Sequence, residues 1–112
     1  MGELKAGQVV LIPFPFSNLT QTKIRPAVIL AYSGRDDWIL CQITSNPYGD
    51  PHSMMITDED FLEGSLHVTS FARPGKLFTA NRELISGQAG VLKAVILDKL
   101  IDEIVAILKS GK

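Results

Sequence analysis

The stretch Arg25-Pro26-Ala27-Val28-Ile29-Leu30-Ala31-Tyr32 holds the longest unbroken apolar run of the chain, the six residues from Ala27 to Tyr32. Such a run suits a strand buried on both faces and is far below the ~20 apolar residues of a membrane-spanning helix. Pro26 fixes the backbone where the run begins, and the first residue of a strand is one of the few places where a sheet tolerates proline. Turn-forming residues flank it, with Pro13, Pro15, Ser17 and Asn18 before and Ser33-Gly34 after. Gln8–Phe14 and Trp38–Ile43 are further apolar runs on either side. The reading is therefore of short buried strands joined by tight turns.

Downstream, Asn46-Pro47-Tyr48-Gly49-Asp50-Pro51 is a loop by composition. Ser53–Thr57 reads as a strand. Leu66, Val68 and Ser70 alternate with His67 and Thr69, which predicts a half-buried strand with His67 and Thr69 on one face. Lys76–Thr79 and Leu84–Ser86 are shorter strand candidates. The period then changes. Leu97, Leu100, Ile101, Ile104, Val105 and Leu108 follow helical spacing, Asp98, Lys99, Asp102, Glu103 and Lys109 fill the other face, and Gly111 is a stop signal. Many short strands and one terminal helix predict a mainly β fold, a small antiparallel barrel or sandwich.

At 112 residues, 46% apolar and 21% charged, the chain is expected to form a single domain over 1–112. One cysteine, Cys41, excludes an intrachain disulfide and a Cys-cluster metal site. Glu3 and the prolines in Val9–Phe16 argue against a signal peptide, so a cytoplasmic location is expected. The net charge of −1 carries no global nucleic-acid signal. Its distribution is uneven: residues 1–35 carry +3, 36–63 carry −7 and 64–97 carry +3. If folding joins the two basic stretches, a local anion site forms on a near-neutral protein. The acidic residues 58–63 are expected to lie away from it.

No dinucleotide or phosphate-loop glycine pattern and no G-x-S-x-G nucleophile motif is present, and His52 and His67 with one cysteine make no convincing zinc site. Three clusters remain. Gln21-Thr22-Lys23-Ile24-Arg25-Pro26 carries an arginine at the entry to a strand, and arginine suits bidentate phosphate contact. Ile43-Thr44-Ser45-Asn46 places hydroxyls at a strand end, where they can bond phosphate or ribose oxygens. His67-Val68-Thr69-Ser70-Phe71-Ala72-Arg73 carries a histidine and a second arginine. By local sequence alone each also fits an ordinary structural role, as a surface ion pair, turn chemistry or a strand histidine. Trp38, Cys41 and the Phe14–Phe16 pair are assigned to packing.

In order along the chain, these segments resemble the MazF/PemK toxins. Gly7–Ser17 is similar to their opening strand, and Arg25-Pro26-Ala27-Val28-Ile29-Leu30 to their RPAVV-type second strand. Ile43-Thr44-Ser45 is similar to a third signature. Ser70-Phe71-Ala72-Arg73 with Lys76-Leu77-Phe78-Thr79 resembles a later strand pair, and Gly90–Leu108 the closing helix region. The resemblance implies an SH3-like barrel with a C-terminal helix, acting as a homodimer. It implies the toxin of a type II toxin–antitoxin pair, held by a cognate antitoxin. The activity it implies is metal-independent cutting of single-stranded RNA at short sequences, leaving a 2′,3′-cyclic phosphate and a 5′-hydroxyl, with no cofactor.

By the same resemblance Arg25 and Thr44 map onto the catalytic arginine and threonine. Ser45 and Arg73 match substrate-contacting positions; Ser70, Lys23 and Gln21 are further candidate substrate contacts. Gly75 stands where some members have an acidic residue, which makes His67, with its ordinary pKa near 6.5, a candidate for proton transfer. A CcdB-like toxin that poisons gyrase, or an inactive homologue that keeps the antitoxin contact, is the alternative. Retention of Arg25 with Thr44 favours cleavage.

Overall fold

The three apolar runs become neighbouring antiparallel strands, β1 (Gln8–Pro15), β2 (Thr22–Gly34) and β3 (Asp37–Thr44). The computed structural model describes residues 2–15 and 22–112. The expected turn residues Ser17 and Asn18, and Phe16, lie outside them. The remaining strands are β4 (Met54–Ile56), β5 (Phe61–Gly64), β6 (Ser70–Asn81) and β7 (Gly87–Leu92), followed by helix α1 (Ala94–Ser110). All seven strands form one antiparallel sheet in the order β4-β6-β3-β2-β1-β7-β5.

The central strands are buried on both faces, which is why their sequences read as continuous rather than alternating. Val9, Val28 and Cys41 turn to one cluster, with Leu100 and Ile104 of α1. Val10, Ala27, Ile29 and Leu40 turn to a second, closed by Leu4, Ala80 and Ile85, with Phe14, Trp38 and Phe78 at its border. Phe14 and Phe78 meet edge-to-face with centroids 4.8 Å apart, and Tyr32 meets Trp38 at a tilt of 59° with centroids 4.9 Å apart. The helix buries Leu100 and Ile104 and keeps Asp98, Lys99, Asp102 and Glu103 exposed. Val105 and Leu108, expected on its apolar face, are exposed, because the stripe against the sheet runs through Leu97, Leu100 and Ile104. Gly111 ends the helix in the left-handed conformation at φ 65°. Among the described residues no helix is long and apolar enough to cross a membrane.

Several local expectations change. The β2–β3 turn is Arg35-Asp36, both with positive φ (56° and 62°), while Ser33-Gly34 belong to β2. Asn81 Nδ2 donates to the Arg35 carbonyl at 3.2 Å and the Arg82 N–H donates to the Asp36 carbonyl at 2.8 Å, so the tip is tied to the end of β6. Residues 65–69 are not a strand. His67 takes φ 62°, its N–H donating to Ser65 Oγ at 2.8 Å, and this breaks the alternation, so His67 and Thr69 share no strand face. Leu84–Ser86 is not a strand either. A 3-10 turn covers Arg82–Leu84, with Asn81 Oδ1 accepting from the Glu83 N–H at 3.1 Å.

β6 is one strand where the sequence suggests two pieces. Its register against β3 jumps between Cys41, which faces Leu77, and Ile43, which faces Ala72. The surplus residues around Pro74-Gly75 form a bulge, where proline's missing N–H is tolerated.

Candidate active site

Pro26 stands five residues into β2 rather than at its start. The placement is possible because β2 has only β1 as a neighbour up to that point. Arg25 faces Ile12 and Pro26 faces Leu11, while pairing with β3 begins at Ala27, opposite Gln42. Pro26 has no N–H to extend the ladder. Continued by two residues, the register in which Ala27 faces Gln42 sets Arg25 opposite Thr44. There the ladder has ended and the strands part.

The gap is a cavity of about 210 Å³ lined by Lys23, Ile24, Arg25, Pro26, Ile43, Thr44, Ser45, Leu66, Val68 and Ser70. Five of the seven candidate site residues therefore meet here: Lys23, Arg25, Thr44, Ser45 and Ser70. Gln21 lies outside the described residues. The described lining carries two cations and no carboxylate. Thr44 is 4% exposed and Ser70 3%. Thr44 Oγ1 donates to the Asn46 carbonyl at 3.0 Å and accepts the Asn46 N–H at 3.2 Å, so the turn after β3 fixes its orientation. Ser70 Oγ donates to the Val68 carbonyl at 3.0 Å.

Arg73 does not line this cavity. Its Nε donates to Asp50 Oδ2 at 3.0 Å, with the two side chains 19% and 12% exposed. The His52 N–H donates to Asp50 Oδ1 at 2.9 Å. That bond first, and the Arg73 guanidinium second, hold the Asp50 carboxyl below its usual range. Sequence reading missed Asp50, because its only local signal is that of a loop aspartate.

His67 does not reach the Arg25 cavity. It borders a neighbouring hollow of about 460 Å³ with Thr57, Asp58, Glu59, Val68 and Thr69. Val68 is the wall common to both. The acidic segment is thus not remote from the cations: Asp58 and Glu59 line the adjoining hollow, and none of the segment lines the cavity itself. Among the described residues no group of three or more His, Cys, Asp and Glu is placed to hold a metal ion.

A seven-stranded antiparallel sheet with one closing helix is the architecture of a known class of small toxins. An endoribonuclease solved with its cognate antitoxin, from a mycobacterial species, superimposes with a TM-score of 0.72 at 14% identity over 97% of this chain and 96% of that one. The MazE–MazF complex of Deinococcus radiodurans gives 0.74 at 18% identity, covering 95% and 96%. The Mycobacterium tuberculosis toxin MazF-mt6 gives 0.64 at 16% identity, covering 89% and 96%. Comparison with curated protein sequences returns no match. The profile of the PemK-like, MazF-like toxins of type II toxin–antitoxin systems matches residues 5–108, and the chain belongs to that family.

Proposed function

We propose that this chain is a single-domain, metal-independent endoribonuclease toxin that cuts single-stranded RNA at a short sequence. The observation that carries the reading is the meeting of Lys23, Arg25, Thr44, Ser45 and Ser70 around one cavity whose described lining has no carboxylate. The cavity suits a phosphodiester: two cations attract it, the exposed Ser45 hydroxyl can donate to its oxygens, and those of Thr44 and Ser70 can do so by exchanging their bonds to the Asn46 and Val68 carbonyls.

In the reaction, the ribose 2′-oxygen attacks phosphorus while the bond to the 5′-oxygen breaks. The products are a 2′,3′-cyclic phosphate and a 5′-hydroxyl; the proton lost from the 2′-oxygen is balanced by one gained at the 5′-oxygen. Negative charge gathers on the non-bridging oxygens as the pentacoordinate phosphorus forms. Arg25, on β2 beside the broken ladder, is a donor for that charge, and the Thr44 hydroxyl, oriented by the Asn46 backbone, joins it by exchanging its bond to the Asn46 carbonyl for one to a phosphorus-bound oxygen. Arginine stays protonated, so its part is electrostatic rather than that of a base. The described lining offers donors, and the chemistry it supports is stabilisation of the transition state.

The toxin acts as a homodimer in the cytoplasm, where its RNA is, and a cognate antitoxin restrains it. Both solved complexes above pair a relative with its antitoxin. The test is incubation with a long unstructured RNA in EDTA, with ends mapped by primer extension and Arg25→Ala beside the wild type. Cuts at one short motif are expected, reduced by about 100- to 1,000-fold in the variant. A folded protein that cuts nowhere, or an Arg25→Ala protein that cuts equally well, overturns the reading.

A further inference from the structure

We propose that Asp50 and Arg73 are a positioning pair for the Thr44 hydroxyl, acting through the turn between β3 and β4 and without touching RNA. The inference rests on the cleavage reading above. Thr44 Oγ1 is bonded twice to the backbone of Asn46. Asn46 Oδ1 accepts the Tyr48 N–H at 2.9 Å, and the Asp50 N–H donates to the Pro47 carbonyl at 3.0 Å. Asp50 Oδ2 then accepts from Arg73 Nε at 3.0 Å. Arg73 belongs to β6, which pairs with β3 so that Phe71 faces Thr44. The bonds close a circuit from Thr44 through the turn to Asp50, across to β6 and back to Thr44.

Two further contacts make the circuit stiff. The Asp50 carboxylate also takes the His52 N–H, so both its oxygens are held. The Arg73 carbonyl, at the bulge of β6, accepts the Cys41 Sγ–H at 3.1 Å, so backbone and side chain of Arg73 are both anchored to the β3 side. A short polar turn has no core of its own, and a half-buried ion pair is its one tie to a neighbouring strand among the bonds described. A hydroxyl that must meet a phosphorane oxygen gains directly from such a tie, because small displacements at a reacting centre are expensive.

Asp50→Asn tests this, since the amide keeps an acceptor for the His52 N–H but loses the charge that holds Arg73. The expected result is a kcat lower by about 10- to 100-fold per folded molecule, with KM changed by less than about twofold. Arg73→Gln should do the same, and the double variant should be no worse than either single one, as for residues that act as a unit. Amide hydrogen exchange at Asn46 and Tyr48 should quicken about tenfold or more in both variants, a readout that needs no RNA. Unchanged exchange overturns the proposal. So does an unchanged kcat, or an Arg73→Gln protein with raised KM beside an unaffected Asp50→Asn protein, which would make Arg73 a substrate contact. If the wild type cuts no RNA the cleavage reading fails by itself, and exchange still decides whether the pair holds the turn.

Discussion

Cys41 is the clearest case of a side chain whose chemistry is set by where it lies. It is fully buried, and desolvation pushes its thiol from the ordinary 9.0 up to about 12. The backbone bond with Arg73 pulls the other way, and the Asp50 carboxylate adds to the rise. The native protein should therefore resist thiol reagents at pH 8 and react fully in denaturant, as titration with a chromogenic disulfide would record. The sign for stability follows. The neutral folded thiol contributes fully below about pH 9, and the contribution is lost as pH rises from there toward about 12. Urea midpoints of Cys41→Ala should fall less steeply than the wild type over that window. At this scale local pattern marked Arg25, Thr44 and Ser45 as polar residues beside apolar strands, and the fold brings them to one cavity; their part in cleavage came from the resemblance and belongs to the proposal. Arg73 was not. The aspartate that claims it is 23 residues upstream, and no periodicity links a loop carboxylate to a strand arginine.

At the scale of elements, legibility followed burial. β1, β2 and β3 were plain because both their faces are covered. β5 and β7 were obscured by Gly64 and Gly90, which face each other where the two backbones nearly touch. A Cβ at Gly90 would lie 2.4 Å from the Glu63 carbonyl oxygen and 2.9 Å from Phe61 Cδ2. Gly90→Ala should accordingly cost about 1–3 kcal/mol in urea unfolding, by pushing β5 and its buried Phe61 off the sheet edge. Glycine has no strand propensity to announce itself, so a residue needed for a close approach reads as a loop. The same conflict hid the true place of Pro26: a proline well inside a strand is admissible only at a bulge, as at Pro74, or where one neighbour is missing, and that gap is seen only once the strands are paired.

The molecule as a whole is nearly neutral, with a formal charge of −1. Whatever attraction it has for RNA must be local. The cavity presents two cations, Lys23 and Arg25, and its acidic neighbours Asp58 and Glu59 begin on the far side of Val68. Two phosphate neutralisations at a single-stranded site predict a slope of about −1.4 in log affinity against log salt concentration per cavity. Fluorescence anisotropy of a labelled, non-cleavable RNA would measure it. A much steeper slope would mean that cations outside the cavity share the binding. Charge counted along the chain had suggested that both basic stretches join the site; the fold admits the first and diverts Arg73 from the second.

The pairing of β7 between β1 and β5 also bears on timing. β7 is the last strand made, and β1, the first, has an open edge until Gly87–Leu92 is available to cover it. The Leu92 N–H donates to the Gly7 carbonyl at 2.9 Å, joining the two ends of the strand-bearing chain. Such distant partners must find one another across a long closing loop, and folds dominated by them form slowly, in about milliseconds to seconds. A ribosome-bound chain thus carries Arg25 and Thr44 before it has the sheet that sets them around one cavity. The interval is set by the pace of synthesis and by the closing of that long loop.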